Sequence, residues 1–368
     1  MKELEPLQLV GLNEVRWRGR TLVQFSGCDY FRLARDAKLD AAAKKTLATS
    51  GLNASASRLT TGDREIYHQL ESALAKFFHA ESAVLFSDGY FAPLAAAQAF
   101  AGEFTHAFVD ELAHAALLDA AKMLGCPVKI FPHRDVVALK KLFPRGVKNF
   151  RPIILTDGMF SHDGSVAPLR AILKILPRTG MILVDDAHGV GLLGANGRGA
   201  VELEKVSRER VIQCGTLSKA FGAFGGFVVG SRALREKILT CSRSFGGSTP
   251  LPPPLAGAAL AALKILAVDK SRRKKLFTNV AWLRSQLLAA GWDIAETPGP
   301  IVRLPVLGAA DEARLKRRLL AAGIYPPYLK YGAAKHGTFR FVISSEHTRK
   351  QLQTLAAVLR LELISTSR

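Results

Sequence analysis

The sequence predicts an α/β fold with a mostly parallel central sheet in a large domain, followed by a smaller α+β C-terminal domain. Three observations carry this reading. Short apolar runs alternate with helix-period segments from about residue 80 to about residue 230, the pattern of strands joined by crossover helices. A proline-rich break, Pro250-Leu251-Pro252-Pro253-Pro254, ends the alternation. Beyond it the apolar spacing turns helical, with only short strand-like runs between. The expected division is therefore an N-terminal segment over 1–45, a large domain over 46–250 and a small domain over 251–368.

The elements follow in chain order. The N-terminal segment carries strand-like pieces. Strands are expected at Ser82–Phe86, Val128–Phe131, Ile153–Leu155, Met181–Val184, Val211–Gln213 and Phe227–Val229, each a short run rich in Val, Ile, Leu or Phe. Between them lie helix-period stretches such as Ala167 to Leu176. After the prolines, helices are expected over Leu255–Val268, Ser271–Ala290, Asp311–Ala322 and Arg349–Leu359, with strands at Ile301–Leu304 and Phe339–Ile343. No internal repeat or low-complexity tract interrupts the chain.

Composition narrows the function classes. With 368 residues, 48% hydrophobic and 22% charged, the chain can bury a substantial core. Its apolar runs are too short or too broken by charge to span a bilayer, and no secretory signal pattern is seen. The four cysteines, Cys28, Cys126, Cys214 and Cys241, lack C-x-x-C spacing, which fits reduced thiols in a cytoplasm. The net charge of +20 favours acidic partners. Nucleic acid is not the expected one, because the clusters Arg272-Arg273-Lys274-Lys275 and Lys316-Arg317-Arg318 lack interleaved aromatics and belong to no known module. Taken singly, each cluster reads as a solvated helix face; an acidic small molecule or carrier protein is the better use of the field.

Two short motifs carry the chemistry. Val184-Asp185-Asp186-Ala187-His188 leaves an apolar strand, and Thr216-Leu217-Ser218-Lys219-Ala220-Phe221-Gly222 follows one strand and one loop later. A lysine in a small Gly-rich turn can form a Schiff base with an aldehyde cofactor, and an Asp-x-x-His pair can hold a pyridine ring. In this order and separation they point to pyridoxal 5′-phosphate (PLP). Lys219 is the candidate Schiff-base lysine and base, the small residues around it favouring a desolvated amine. Asp185 is the candidate partner of the pyridine nitrogen, with Asp186 the competitor by adjacency, since a strand alternates its faces. His188 is the candidate donor to the cofactor's phenolic oxygen. Ser87-Asp88-Gly89-Tyr90 opens a helix after a strand, where backbone N–H groups suit a phosphate and Gly89 permits close approach. Thr216 can add a hydroxyl to that phosphate. His114, in Asp110-Glu111-Leu112-Ala113-His114, can stack on the ring, although by itself it reads more often as a helix-surface or packing histidine.

These motifs, with Phe25-Ser26, Ser57-Arg58-Leu59, Asp157-Gly158-Met159-Phe160-Ser161, Gly197-Arg198-Gly199, Ser248-Thr249-Pro250 and Arg340, make the chain resemble the α-oxoamine synthase family of fold-type I PLP enzymes. The similarity runs from about Val23 to the C-terminus. Members join an amino acid to an acyl thioester with loss of CO2. The resemblance implies Lys219, Asp185, His188 and His114 as the catalytic set, and Gly89, Tyr90, Ser161 and Thr216 as further cofactor contacts. It also implies a homodimer in which Thr249 reaches the neighbouring subunit's phosphate, and Arg340 as the holder of the amino acid carboxylate, a bidentate task suited to guanidinium. The acyl donor is expected to be an acyl-CoA or an acyl carrier protein. Within the family, the compact chain fits the joining of alanine to a pimeloyl thioester, which yields 8-amino-7-oxononanoate in biotin synthesis.

Departures from the family pattern lie at Asn53-Ala54-Ser55-Ala56, where glycines are lost, and at Cys28, which stands for an Asn. Others are Pro93 for Asn, Asp157 for Glu, Tyr328 for the Thr of a Pro-Pro-Thr run, and Thr338 for an Arg. They bear on the acyl substrate more than on the cofactor chemistry. The alternatives are a 2-amino-3-ketobutyrate CoA ligase, a divergent synthase, an aminotransferase, or a non-catalytic PLP-binding subunit. The intact Lys219, Asp185, His188 and Arg340 argue against the last.

Overall fold

A computed structural model describes residues 5–330 and 337–366. It divides into two compact units. The larger comprises Leu33–Ser161 and Val166–Asp269; the smaller comprises the residues up to Arg32, His162–Ser165 and the chain from Lys270 onward.

The smaller unit begins with β1 (Gln8–Leu9), β2 (Glu14–Trp17) and β3 (Arg20–Gln24). The larger unit holds β4 (Ser82–Phe86), β5 (His106–Asp110), β6 (Val128–Phe131), β7 (Pro152–Asp157), β8 (Met181–Asp185), β9 (Val211–Thr216) and β10 (Gly226–Gly230). These seven form one sheet in the order β4-β10-β9-β8-β7-β5-β6. Only β10 runs antiparallel to its neighbours. Because β4 and β9 both oppose β10, they point the same way as the rest. The carboxyl ends Phe86, Asp110, Phe131, Asp157, Asp185 and Thr216 therefore share one edge of the sheet, where open α/β folds bind ligands.

Every residue of β7, β9 and β10 is buried, which is why they read as continuous apolar runs rather than alternations. The strand β5 was not among the expected ones. Its apolar stretch is only Ala107-Phe108-Val109, set after an alanine-rich helical run, and its strand state comes from pairing between β6 and β7.

Helices cover the sheet, including α1 (Ala37–Ser50), α2 (Glu65–Phe78), α3 (Phe91–Ala99) and α4 (Ala115–Met123). The Asp36 carboxylate accepts the Lys38 N–H at 2.9 Å and caps α1. Helix α1 packs against the helix Pro253–Val268 closely enough that a Cβ on Gly257 would lie 2.1 Å from Thr46 Oγ1. Both helices belong to the larger unit; the cut expected at 45/46 falls inside α1, and that at 250/251 falls just before the second helix.

The smaller unit is completed by β11 (Ile301–Arg303), β12 (Ile324–Tyr325), β13 (Tyr328–Leu329) and β14 (Thr338–Val342). Strand β12 joins β3 in parallel, so the N-terminal strands share a sheet with the C-terminal region. Strands β11, β14 and β13 form a second, antiparallel sheet. Among the described residues, no helix is long and apolar enough to cross a membrane, and no group of three or more His, Cys, Asp or Glu is placed to hold a metal ion.

His347 is fully buried in this unit. Its Nδ1 accepts the Ser344 N–H at 2.9 Å, its Nε2 donates to the Gln24 carbonyl at 3.0 Å, and its ring stacks on Phe25 at 4.2 Å. Burial, with the Arg32 charge adding to it, pushes the imidazole down to about 3. The unfolded chain takes a proton near 6.5 while the folded one refuses it until about 3. Stability is therefore complete above that window and falls as pH drops through it, by about 1.4 kcal/mol per pH unit. Measured by urea unfolding between pH 6.5 and pH 5, the stability of wild type relative to His347→Gln should fall by about 1.4 kcal/mol per pH unit; the difference isolates the ring from Asp186, which titrates in the same window with the opposite sign. An unchanged difference would mean the ring is protonated in the fold.

Candidate active site

A cavity of about 210 Å³ lies at the carboxyl edge of the large sheet. Its lining comes from four strand ends. Gly89 and Tyr90 follow β4, Asp157 ends β7, Asp185 ends β8 and is followed by Ala187 and His188, and Thr216 ends β9 and leads to Lys219; His114, at the start of α4, completes the wall. Of the sequence-expected residues, Lys219, Asp185, His188, His114, Gly89, Tyr90 and Thr216 thus meet in one place.

The two adjacent aspartates part company here. Asp185 lines the cavity, with its Oδ1 accepting the Ala187 N–H at 3.1 Å. Asp186 turns the other way and is fully buried. Its Oδ2 accepts from Ala200 N at 2.8 Å and from Gln213 Nε2 at 2.7 Å. The surrounding backbone leaves no room for side chains: a Cβ on Gly158, Gly189 or Gly199 would come within 2.2 Å of an Asp186 oxygen. Burial raises the Asp186 carboxyl to about 7, against the donors from Gln213 and Ala200. Strand alternation thus assigns Asp185 to the cavity and Asp186 to the scaffold.

Lys219 sits half-buried in a loop closed by Leu217 N to Gly225 O, Gly222 N to Lys219 O and Ala223 N to Leu217 O, each 2.9 Å. Gly222 has φ +59°, and a Cβ there would lie 2.4 Å from Ala34 N, so the turn admits no larger residue. The Thr216 hydroxyl helps close the same loop. It donates to the Gly225 carbonyl at 3.0 Å and accepts the Ser218 N–H at 3.1 Å. Its proton is committed to the loop in this structure, so its service to a phosphate requires that bond to be exchanged.

At the other wall, Gly89 approaches Thr216 so closely that a Cβ would lie 2.8 Å from its side chain. The Asp88 carboxylate accepts the Phe91 N–H at 2.9 Å and fixes the entry to α3. His114 is the N-cap of α4, its Nδ1 accepting the Ala116 N–H at 3.2 Å, which leaves the proton on Nε2. Its ring meets Tyr90 edge-on at 5.8 Å. The Tyr90 hydroxyl donates to Asp119 at 2.5 Å and is directed along the protein surface.

Asp157 was noted in the sequence only as a departure, an Asp where the family has Glu, yet it lies in the cavity wall. It pairs in register with Asp185 on the neighbouring strand, and its Oδ1 accepts the His114 N–H at 3.0 Å. The signal that finds it is its place as the last residue of a buried strand.

Ser161 and Thr249 do not line this cavity. Arg340 lies in the smaller unit, on β14, where its Nη2 donates to the Cys28 sulfur at 3.6 Å and its backbone N–H to the Pro327 carbonyl at 2.9 Å. Three of the sequence departures or their neighbours, Cys28, Pro327 and Tyr328, therefore gather around β14.

The donor set fits PLP. An amine, a buried carboxylate, two imidazoles and a glycine-lined helix start converge on a space of ring size, and Gly89 leaves open the room that a Cβ would take. The sequence pattern of the family described as aminotransferase class I and II matches residues 20–359. The chain is 37% identical to 8-amino-7-oxononanoate synthase of Thioalkalivibrio sulfidiphilus (strain HL-EbGR7), over 93% of this chain and 88% of that protein. It is also 37% identical to the protein of the same name from Anaeromyxobacter sp. (strain K), over 97% of this chain and 92% of the relative. Among solved structures, it resembles a PLP-bound serine palmitoyltransferase from S. paucimobilis, with TM-score 0.90, 27% identity, and coverage of 98% of this chain and 92% of the other. It also resembles 8-amino-7-oxononanoate synthase from Francisella tularensis, with TM-score 0.82, 27% identity, and coverage of 94% and 99%.

Proposed function

The chain belongs to the aminotransferase class I and II family, and from that premise we propose that it is a PLP-dependent α-oxoamine synthase that joins alanine to a pimeloyl thioester, releasing CO2 and the thiol. The observation that carries the reading is the meeting of Lys219, Asp185, His188 and His114 in one cavity at the strand ends. The names of the relatives that match nearly the whole chain support the substrates.

When bound, PLP supplies an electron sink for the pair left at the amino acid's Cα. The protein's residues do the rest. The Lys219 amine would hold the cofactor at its aldehyde carbon and, as a free amine, would take and return the Cα proton of the substrate. The Asp185 carboxylate holds the proton on the pyridine nitrogen. His188 would donate to the phenolic oxygen, and the His114 ring, in the cavity wall, would help hold the cofactor ring and exclude water. The N–H groups at Gly89 and Tyr90, with the Thr216 hydroxyl, receive the phosphate. Ser161 is a further cofactor contact. Thr249 serves the phosphate of the other subunit in a homodimer, and Arg340 holds the substrate carboxylate. The setting is cytoplasmic.

The test is a panel of amino acids with acyl-CoA and acyl-carrier-protein thioesters, scored for free thiol and CO2. Alanine with the pimeloyl thioester should give the highest kcat/KM. Glycine with a short acyl thioester as the best pair would make the chain a 2-amino-3-ketobutyrate CoA ligase. Conversion of the cofactor to its amine form without thiol release would make it an aminotransferase.

The charge of +20 adds a salt signature. Steering of a polyanionic thioester weakens as the Debye length shrinks from about 10 Å at 0.1 M to about 3 Å at 1 M. The apparent affinity for the thioester should therefore fall with salt more steeply than that for the zwitterionic amino acid. Of the cluster at 316–318, Lys316 pairs with Glu312 and Arg318 with Glu362. Lys275 of the other cluster pairs with Glu346 in the same way, so neutralising Arg272, Arg273, Lys274 and Lys275 together, or Lys316, Arg317 and Arg318, shows by the larger loss of salt slope which cluster receives the thioester. Equal slopes for both substrates would assign the charge to solubility alone.

A further inference from the structure

We propose that Asp157 is a positioning residue that works in its neutral form, fixing the backbone of His114 and leaving Asp185 as the charged carboxylate of the cavity. The inference deepens the PLP reading above and rests on it.

Three consecutive strands of the sheet, β5, β7 and β8, each end in an aspartate: Asp110, Asp157 and Asp185. Asp157 and Asp185 are register partners, and both are buried. Neighbouring strands lie only about 4.8 Å apart, so the Asp157 and Asp185 carboxylates, on one face of the sheet, do not both ionise in a low dielectric; Asp110 follows Val109, the partner of Leu155, and so stands one step out of register with Asp157. The donors around them decide which one keeps a proton. Asp110 is well supplied: it accepts the Leu112 N–H at 3.0 Å and the Arg134 N–H at 2.9 Å, and its Oδ1 lies 2.9 Å from His133 Nδ1. Asp185 accepts the Ala187 N–H and is the residue assigned to the cationic pyridine nitrogen. Asp157, in the middle, accepts a single hydrogen bond among the described residues, from the His114 N–H at 3.0 Å.

The electrostatics of the site run the same way. Burial pushes the Asp157 carboxyl well above the usual carboxylate range, and the charges of Asp185 and Asp110 push it further; the His114 N–H and the Lys219 ammonium oppose them without prevailing. His188, on the loop after β8, and Tyr90, at the start of α3, are the remaining titratable groups in the cavity lining. A neutral Asp157 keeps one acceptor oxygen for His114 and adds no second negative charge to compete with Asp185 for the ring. It acts through His114, whose capping of α4 sets where the imidazole stands.

The experiment compares wild type, Asp157→Asn, Asp157→Ala and Asp185→Asn, each stripped of cofactor and reconstituted with PLP. The readouts are PLP affinity and the pH midpoint of the cofactor's visible absorbance. Asparagine reproduces the neutral acid and its acceptor oxygen, so Asp157→Asn should leave the midpoint within about 0.3 pH unit of wild type, whereas Asp185→Asn should move it by about one unit or more. Asp157→Ala removes the acceptor and should weaken PLP binding about tenfold. A midpoint shift in Asp157→Asn as large as that in Asp185→Asn would show an ionised Asp157 and overturn the proposal. Unchanged PLP affinity in Asp157→Ala would overturn the positioning role. Failure of wild type to bind PLP would instead overturn the functional reading itself.

Discussion

Replacing Lys219 by alanine is expected to lower kcat by about 10³-fold or more, because one side chain both attaches the cofactor and moves the Cα proton. The structure places this amine half-buried in the cavity lining, in a turn that Gly222 and the Thr216–Gly225 bond hold shut. The alanine variant should still fold, since the turn's backbone bonds do not involve the amine, and should still bind PLP non-covalently through the phosphate and ring contacts. Borohydride reduction of the wild-type holoenzyme, followed by peptide mapping, should find the pyridoxyl label on Lys219. A label on another lysine, or an alanine variant within tenfold of wild type, would remove Lys219 from its role.

The second large effect separates two neighbours. Asp185→Asn should keep PLP bound yet lose about 10²-fold or more in kcat, since an amide cannot hold the proton on the pyridine nitrogen. Asp186→Asn should act on stability instead. The Asp186 carboxyl titrates near 3.8 in the unfolded chain and near 7 in the fold. The folded state thus keeps a proton that the unfolded chain gives up, and stability falls as pH rises through that window, by a total on the order of 4 kcal/mol at about 1.4 kcal/mol per unit. Asparagine retains an oxygen for Ala200 and Gln213 and does not ionise. The melting temperature of Asp186→Asn relative to wild type should therefore climb between pH 4 and pH 8, with kcat changed far less than in Asp185→Asn. The opposite pattern, a catalytic collapse in Asp186→Asn and none in Asp185→Asn, would exchange their assignments.

Much of this was legible in the chain. The strands β4 and β6 stand where the apolar runs end, at Ser82–Phe86 and Val128–Phe131. The runs are local in sequence, whether the strand is largely buried, as β4 is, or exposed at Val128, Lys129 and Ile130, as the edge strand β6 is. The meeting of Lys219, Asp185 and His188 in one cavity was legible for a similar reason: the motif's spacing around strand ends is itself local, and strand ends converge in any parallel sheet. Strand β5 was not legible, because three apolar residues do not outweigh an alanine-rich helical context until β6 and β7 supply hydrogen-bond partners.

The sequence alone therefore determined the fold class and the residue types of the site, both of which depend on periodicity and short-range order. Tertiary structure decided the rest. Which of Asp185 and Asp186 faces the cavity depends on the pleat of β8 and on Gly158, after β7, and Gly199, further along the chain, which close around Asp186 together with its near neighbour Gly189. The membership of Asp157 in the site depends on the register between β7 and β8. The placing of the N-terminal strands depends on the pairing of β3 with β12, about 300 residues away in the chain. Each of these is a pairing between residues distant in sequence, and a local pattern does not encode which distant partner it will meet.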